Sequence, residues 1–207
     1  MWYEQLANNN QLVFKEDTYS DILGKAIFNK NETRRYFLEK RWEEGDYVLT
    51  AIMMNPSKAA HNQTDDTVDQ LIAVAKNQGC HALYVVNVSS TIDGSSSNLN
   101  NAHFIFESIN WNFVSKAMTE ANIVFLGWGV KGHRGMLKHQ QINNNLVNAF
   151  KNILSKMYCY DVLKSNDKKF TDLYYVPHPR PLFKREKYRN MPIRQISEVE
   201  FTHLFIK

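Results

Sequence analysis

The chain has 207 residues and a mass of 24.2 kDa, with 43% apolar and 22% charged residues. A chain of this size and composition can bury the core of one domain, which excludes a mainly disordered or collagen-like protein. Two cysteines, Cys80 and Cys159, are too few for a disulfide scaffold or a thiolate metal site. Since there is neither a signal peptide nor an apolar run of membrane-spanning length, we expect a cytoplasmic protein without membrane contact.

The net charge of +4 is concentrated in one segment. Residues 180–194 contain one acidic residue and six basic ones, namely Arg180, Lys184, Arg185, Lys187, Arg189 and Arg194. A local basic field of this kind favours a polyanion such as a nucleic acid. A solvated basic loop is the alternative interpretation of the same run.

The first third of the chain predicts two strands after an irregular beginning. Residues 1–32 indicate an irregular or partly helical lead-in, followed by an α/β core over residues 33–207, all within a single domain. Residues 33–42 alternate in polarity as a strand does. Residues 47–54 form a nearly continuous apolar run, typical of a strand buried on both faces, and Asn55-Pro56 ends it.

The remainder alternates between predicted helices and strands. Thr64 is expected to cap a helix that Gly79 ends, and residues 102–121, 136–158 and 198–206 predict three more helices. Apolar strands are expected at residues 81–88, 122–128 and 172–176, with a Ser- and Asn-rich loop at 89–101. The alternation predicts a three-layer α/β/α sandwich around a central, mainly parallel four-stranded sheet.

Polar and conformationally special residues collect where these strands end. In an open α/β sheet, ligands bind beyond the carboxyl ends of the strands. Each of the four apolar strands has one such residue at or just after its end: Asn55, Asn87, Trp128 and His178. We therefore expect these four residues to share one site.

Asn87 and His178 are the residues whose chemistry is most specific. The Asn87 amide has donors and an acceptor, so it could bind the edge of a nucleobase, or it could hold the Ser-rich loop instead. His178 lies between two prolines, which stiffen the backbone around it. A rigid histidine could donate to developing negative charge, or it could be structural.

Asp65 and Asp66 place two carboxylates near the same edge. They could act as a general base or as metal ligands, or only as favourable charges at the start of a helix. The seven histidines show no ligand spacing with cysteines or acids, so no metal is expected. Since no segment matches a phosphate-binding or dinucleotide fingerprint, no cofactor is expected either.

Several spaced motifs resemble one family of bacterial and phage proteins. They are Arg35-Tyr36-x-Leu38, Trp42, the run from Ile52 to Ala59, Asp66-Thr67, Val86-Asn87-Val88, Trp128-Gly129 and His178-Pro179. In this order they are similar to the family called domain of unknown function 1643. The name of that family implies no activity.

The same motifs also resemble those of the uracil-DNA glycosylase superfamily. The turn at residues 53–56 is similar to the one that holds the attacking water, and residues 124–129 are similar to the third strand. The segment from His178 to Phe183 is similar to the His-Pro-Ser-Pro-Leu-Ser motif. The resemblance implies the superfamily's fold, a DNA or other nucleobase-containing ligand, and hydrolysis of an N-glycosidic bond.

The resemblance further implies roles for single residues. Asn55 would position the water, Asn87 would bind the base edge, and His178 would hydrogen-bond the departing base. Leu182 would fill the space that the flipped base leaves in the stack. The phosphate contacts would come from Arg180, Lys184, Arg185, Lys187 and Arg189.

The sequence also departs from the superfamily pattern. Asn55 replaces an aspartate, and an amide can orient water but cannot accept its proton. Ser57 replaces a tyrosine that excludes thymine, so we do not expect strict specificity for uracil. Ser57 and Trp128 complete the expected base-binding residues. Arg180 replaces a phosphate-binding serine, and Asp66, which has no counterpart, remains a catalytic candidate.

The expected function is therefore nucleic-acid or nucleobase binding, with hydrolysis of an N-glycosidic bond. Two alternatives stay open. One is a DNA-binding module without catalytic activity. The other is a small-molecule or nucleotide enzyme that uses Asp66 and His178.

Overall fold

A computed structural model of the chain describes residues 1–94, 101–166 and 173–206. In it, one large mixed sheet carries helices on both faces. The strands are β1 (Val13–Tyr19), β2 (Ile22–Phe28), β3 (Arg35–Arg41), β4 (Val48–Met53), β5 (Ala82–Asn87), β6 (Ile123–Leu126), β7 (Met157–Cys159), β8 (Leu163–Lys164), β9 (Tyr174–Tyr175) and β10 (Arg194–Gln195). The helices are α1 (Trp2–Asn9), α2 (Asp66–Asn77), α3 (Ser108–Glu120), α4 (Gly129–Ile142), α5 (Asn145–Lys151) and α6 (Glu198–Phe205).

The large sheet has the strand order β1-β2-β3-β5-β4-β6-β7-β10. Its centre, β5-β4-β6-β7, is parallel, and antiparallel strands extend it on both sides. The apolar runs of β4, β5 and β6 are buried on both faces, because one core lies on each side of the sheet. Helix α2 packs in one core, whereas α1, α3, α5 and α6 pack in the other. The prediction of an α/β protein with a parallel centre is thus confirmed, but the sheet has eight strands and not the four predicted.

The beginning of the chain agrees only in part with its prediction as an irregular or partly helical lead-in, because α1 is helical but two strands follow it. After α1, β1 and β2 form an antiparallel hairpin that pairs with β3 and so enlarges the sheet. Ser20 and Asp21 connect the two strands with positive φ angles of 46° and 61°. This turn has no glycine, and glycine is the residue that usually signals such a conformation. The polarity alternation predicted for residues 33–42 is also interrupted, because the pairing of β2 with β3 shifts register between Ile27 and Phe28.

The fourth parallel strand is not the predicted one. Residues 136–158 do not form one helix, because α4 and α5 end at Ile142 and Lys151 and the chain then enters β7. The strand predicted at residues 172–176 corresponds to β9, which pairs with β8 and does not belong to the large sheet. Residue 172 lies outside the described residues. A three-residue strand such as β7 is too short for a polarity pattern, so only its pairing with β6 defines it.

Helix α2 begins one residue later than predicted. Asp65, not Thr64, is its N-cap, and its carboxylate accepts from the backbone N–H groups of Thr67 and Val68 at 3.0 and 2.9 Å. This bonding satisfies donors that the first turn leaves free. In the part of the chain that the structure describes, no helix combines the length and apolarity needed to cross a membrane.

Candidate functional site

A cleft of about 1050 Å³ opens at the carboxyl ends of β4, β5 and β6. Its walls come from the segments that follow these strands, from the start of α2 and from residues 177–188. Parallel strands end at the same sheet edge, so distant parts of the chain meet there. Six basic side chains and three carboxylates are among the described residues that line it: Arg35, Lys131, Arg180, Lys184, Arg185 and Lys187, with Asp65, Asp66 and Asp93.

The cleft brings together eleven of the twelve residues that the sequence singled out. They are Asn55, Ser57, Asp66, Asn87, Trp128, His178, Arg180, Leu182, Lys184, Arg185 and Lys187. Arg189 does not line the cleft. Its guanidinium pairs with Glu186 at 2.9 Å on the surface instead.

Asn87, the last residue of β5, lies in the floor of the cleft. Its side chain is buried, with 1% of the residue exposed. Neither its amide nitrogen nor its amide oxygen has a hydrogen-bond partner among the described residues. Its backbone oxygen, by contrast, accepts from the Asn110 amide at 2.9 Å. Because buried amides are almost always paired, the free amide of Asn87 is available to a ligand.

The turn after β4 presents Asn55 and Ser57. The amide nitrogen of Asn55 donates to the backbone oxygens of Pro56 and Asp93, both at 2.9 Å. These bonds orient the side chain and direct its nitrogen at the protein, so its oxygen is the atom that can accept from a water. Ser57 donates to the Asp65 carboxylate, which joins the turn to the start of α2.

His178 follows the short strand β9 and also lines the cleft. Its Nδ1 lies 3.1 Å from both the backbone nitrogen and the backbone oxygen of Arg180, so it accepts from the N–H or donates to the oxygen according to the tautomer. Burial lowers the pKa of His178, although the backbone oxygen of Arg180 and the charge of Asp65 act in the other direction. A neutral imidazole therefore lines the cleft at neutral pH.

Trp128 and Gly129 form the turn from β6 into α4. Gly129 has a φ of +67°, and a Cβ there would lie 3.5 Å from the Cβ of His178. The positive φ explains a glycine at this position, whereas the 3.5 Å separation is an ordinary van der Waals contact. Trp128 is fully buried and packs edge-on against Phe150 and Phe205, with ring centroids 6.0 and 6.2 Å apart. Trp128 thus supports the wall of the cleft mainly as part of the core.

Asp66 is the least enclosed of the predicted catalytic residues. Its side chain is 74% exposed and forms an ion pair with Arg180. This pair links the first turn of α2 to the segment after His178. Asp66 therefore joins two walls of the cleft through this ion pair. Within the described ranges, no group of three or more His, Cys, Asp or Glu side chains could hold a metal ion.

Arg35 is a cleft residue that sequence reasoning missed as a site residue. It lies in β3, is 1% exposed, and donates through Nη1 to the backbone oxygen of Ala59. Its Nε has no partner among the described residues, and burial lowers its pKa to about 10. Its only signal in the sequence was its place in the motif Arg35-Tyr36-x-Leu38, since the polarity alternation of residues 33–42 does not indicate that the arginine is buried.

The comparisons with known proteins concern a large part of the chain. Residues 35–170 match the family described as Protein of unknown function (DUF1643). No curated protein and no solved structure matches the chain. The matched residues include Asn55, Asn87 and Trp128, whereas His178 and the basic segment follow them. Since the match covers more than half of the chain, the chain belongs to the DUF1643 family.

Proposed function

We propose that the cleft binds a nucleic acid through one of its bases and hydrolyses the N-glycosidic bond of that base. The observation that carries the proposal is the buried, unpaired amide of Asn87 in the floor of the cleft. An unpaired buried amide destabilises the folded protein, so a ligand edge with a neighbouring donor and acceptor would satisfy it. Nucleobases present such edges.

The remaining polar groups suit the chemistry of such a cleavage. As the bond between C1′ and the base breaks, its electron pair stays on the base, which becomes an anion. In the tautomer whose Nδ1 accepts from the Arg180 N–H, the Nε2–H of His178 would donate to this charge, and a preorganised donor of this kind lowers a barrier by about 3 kcal/mol. The Asn55 oxygen would orient the water that attacks C1′. The proton released by the water is finally taken up by the base.

Two further observations support the same proposal. The motifs resemble, in their order, those of the uracil-DNA glycosylase superfamily, and we propose that the parallel centre of the sheet shares that superfamily's fold. The basic side chains Lys184, Arg185 and Lys187 line the same cleft and would contact the phosphates beside the flipped base. Asp66, paired with Arg180, is a less suitable general base, which disfavours the nucleotide-enzyme alternative.

A base-release assay tests the proposal directly. The substrates are oligonucleotides that carry uracil, hypoxanthine, xanthine or mismatched thymine, each single- and double-stranded. We expect release of at least one base by the wild type, and a loss of about 100-fold in His178→Ala, the effect typical of removing one such donor. Asn87→Ala should weaken base recognition as well.

The matched control is His203→Ala, since His203 is exposed and stacks on Tyr174 at 4.3 Å, outside the cleft. Its release rate should equal that of the wild type. Binding without release of any base would contradict the catalytic step and favour a DNA-binding module. Release that persists unchanged in His178→Ala would contradict the role given to that residue.

A further inference from the structure

The rim of the cleft carries an exposed aromatic residue within a basic segment. Phe183 is 94% exposed and Leu182 is 58% exposed, although both line the cleft. Residues 181–187, which we name the rim segment, also contain Lys184, Arg185 and Lys187. A phenylalanine with almost its whole surface in water gains nothing from the core, so its place at a cleft mouth points to a contact with a ligand.

The structure holds the rim segment in a defined conformation. The backbone N–H groups of Lys184 and Lys187 donate to the oxygens of Pro181 and Lys184, at 3.0 and 2.9 Å, in successive turns. Tyr188, which follows, is 1% exposed and stacks on Tyr160 with 5.0 Å between ring centroids. Phe183 is therefore exposed on a segment that backbone hydrogen bonds and the buried Tyr188 hold in place.

The charges of the basic run divide into two groups. Arg180, Arg189 and Arg194 each form an ion pair, with Asp66, Glu186 and Glu200 respectively. Lys184, Arg185 and Lys187 pair with no described carboxylate, and Lys187 lies 4.7 Å from the centre of the Tyr188 ring. The uncompensated positive charge thus lies next to Phe183 in the chain.

We infer that the rim segment binds single-stranded nucleic acid, with one base stacked on Phe183 and the neighbouring phosphates bound by Lys184, Arg185 and Lys187. An exposed aromatic ring beside cations is the arrangement that binds single strands, since the faces of unpaired bases are free to stack. The faces of paired bases inside a duplex are covered by their neighbours. The inference rests on the proposed function for the nature of the ligand, and it names the strand form.

Fluorescence anisotropy tests the inference, with a labelled single-stranded DNA of mixed sequence, the same strand annealed to its complement, and an RNA of the same sequence. We expect the wild type to bind the single strands more tightly than the duplex. Phe183→Ala should weaken single-strand binding at least fivefold, which is the smallest effect expected from the loss of one base stack. It should leave duplex binding unchanged. Phe14→Ala is the matched control, because Phe14 is 37% exposed on β1, outside the cleft.

The salt dependence tests the charges separately. Replacing Lys184 or Arg185 by Ala should reduce the log–log salt slope of single-strand binding by about 0.7 for each phosphate that the variant no longer binds. Since all three basic side chains of the rim segment are exposed, their replacement should not change the thermal unfolding midpoint.

Three results would overturn the inference. The first is equal affinity for single strands and duplex, and the second is unchanged single-strand binding in Phe183→Ala. The third is tighter binding to phosphatidylserine vesicles than to the single strands. The assay measures binding alone. Failure of the proposed cleavage would appear as absent base release with intact single-strand preference, which is distinguishable from each of these results.

Discussion

At Asn87, the binding role that we propose and the stability of the fold oppose each other. Its amide is buried without a partner among the described residues, and it ends a strand of otherwise apolar residues. Arg35 also lines the cleft from the neighbouring strand β3, and its Nε has no partner in the same part of the chain. Buried polar groups without partners lower the free energy of unfolding, and they are typical of sites where a ligand supplies the partner.

Asn87→Leu should therefore stabilise the ligand-free protein. Leucine has a similar size and removes the unpaired amide, so the free energy of unfolding should rise by about 1 kcal/mol. Urea denaturation of both proteins measures the difference. The control is Asn110→Leu, which should be destabilising because the Asn110 amide donates to the backbone oxygens of Asn87 and Val88. A decrease in stability in Asn87→Leu would contradict the argument that its amide is unpaired.

At the scale of elements, strands β2 and β3 hold one wall of the cleft. Lys40 of β3 donates to the backbone oxygens of Ala60, His61 and Gln63, in the connection between β4 and α2. Gly24 of β2 allows this connection to lie close, since a Cβ there would be 1.8 Å from the backbone oxygen of His61. The positions of Ser57 and Asp65 thus depend on β2 and β3, which belong to the antiparallel part of the sheet.

Lys40→Met should change how the stability depends on pH. Burial and the charge of Arg35 lower the pKa of Lys40 from 10.5 to about 7 in the folded protein, against the raising effects of Asp69 and Asp65. Between these values the unfolded chain binds a proton that the folded chain does not, so Lys40 makes the stability increase with pH from about 7 to 10.5.

Urea denaturation at several pH values within this window should show the increase in the wild type and a flatter profile in Lys40→Met. The comparison of the two proteins cancels the contributions of other groups, such as the thiol of Cys80, whose pKa burial raises to about 11. Parallel profiles for the two proteins would show that the Lys40 ammonium stays protonated throughout the range.

At the scale of the whole molecule, α1 closes the core over strand β3. Tyr3 of α1 is fully buried, stacks on Phe37 at 4.6 Å between centroids, and donates to Glu39 at 2.6 Å. Glu39, which is also fully buried, accepts a second bond from Arg41 at 2.8 Å. Residues 1–9 are therefore part of the packing of the sheet.

Tyr3→Ala should lower the free energy of unfolding by about 3–5 kcal/mol, because it leaves a cavity and removes a partner of a buried carboxylate. Tyr3→Phe keeps the ring and should cost only about 1–2 kcal/mol, the effect of the hydroxyl bond to a charged group. Thermal or urea denaturation separates the two variants. Equal stability of Tyr3→Ala and the wild type would mean that α1 does not pack on the sheet in solution.

The sequence predicted the centre of the fold and the composition of the cleft well. The apolar runs of β4, β5 and β6 are long enough to show burial on both faces, and parallel strands must end at a common edge. Asn55 and Asn87 could therefore be placed together from the pattern alone. The burial of Arg35 and Lys40 could not be predicted in this way, because both residues are hydrogen-bonded to the connection between β4 and α2.

By itself, the sequence determined the α/β class, three of the four central strands and the edge where the cleft lies, since each follows from a local run of residues. Only the tertiary structure decided that β1 and β2 join the sheet, that β7 is its fourth parallel strand, and that Asn87 is unpaired. The physical reason is that strand pairing and the loss of water from a polar group depend on partners far away in the chain.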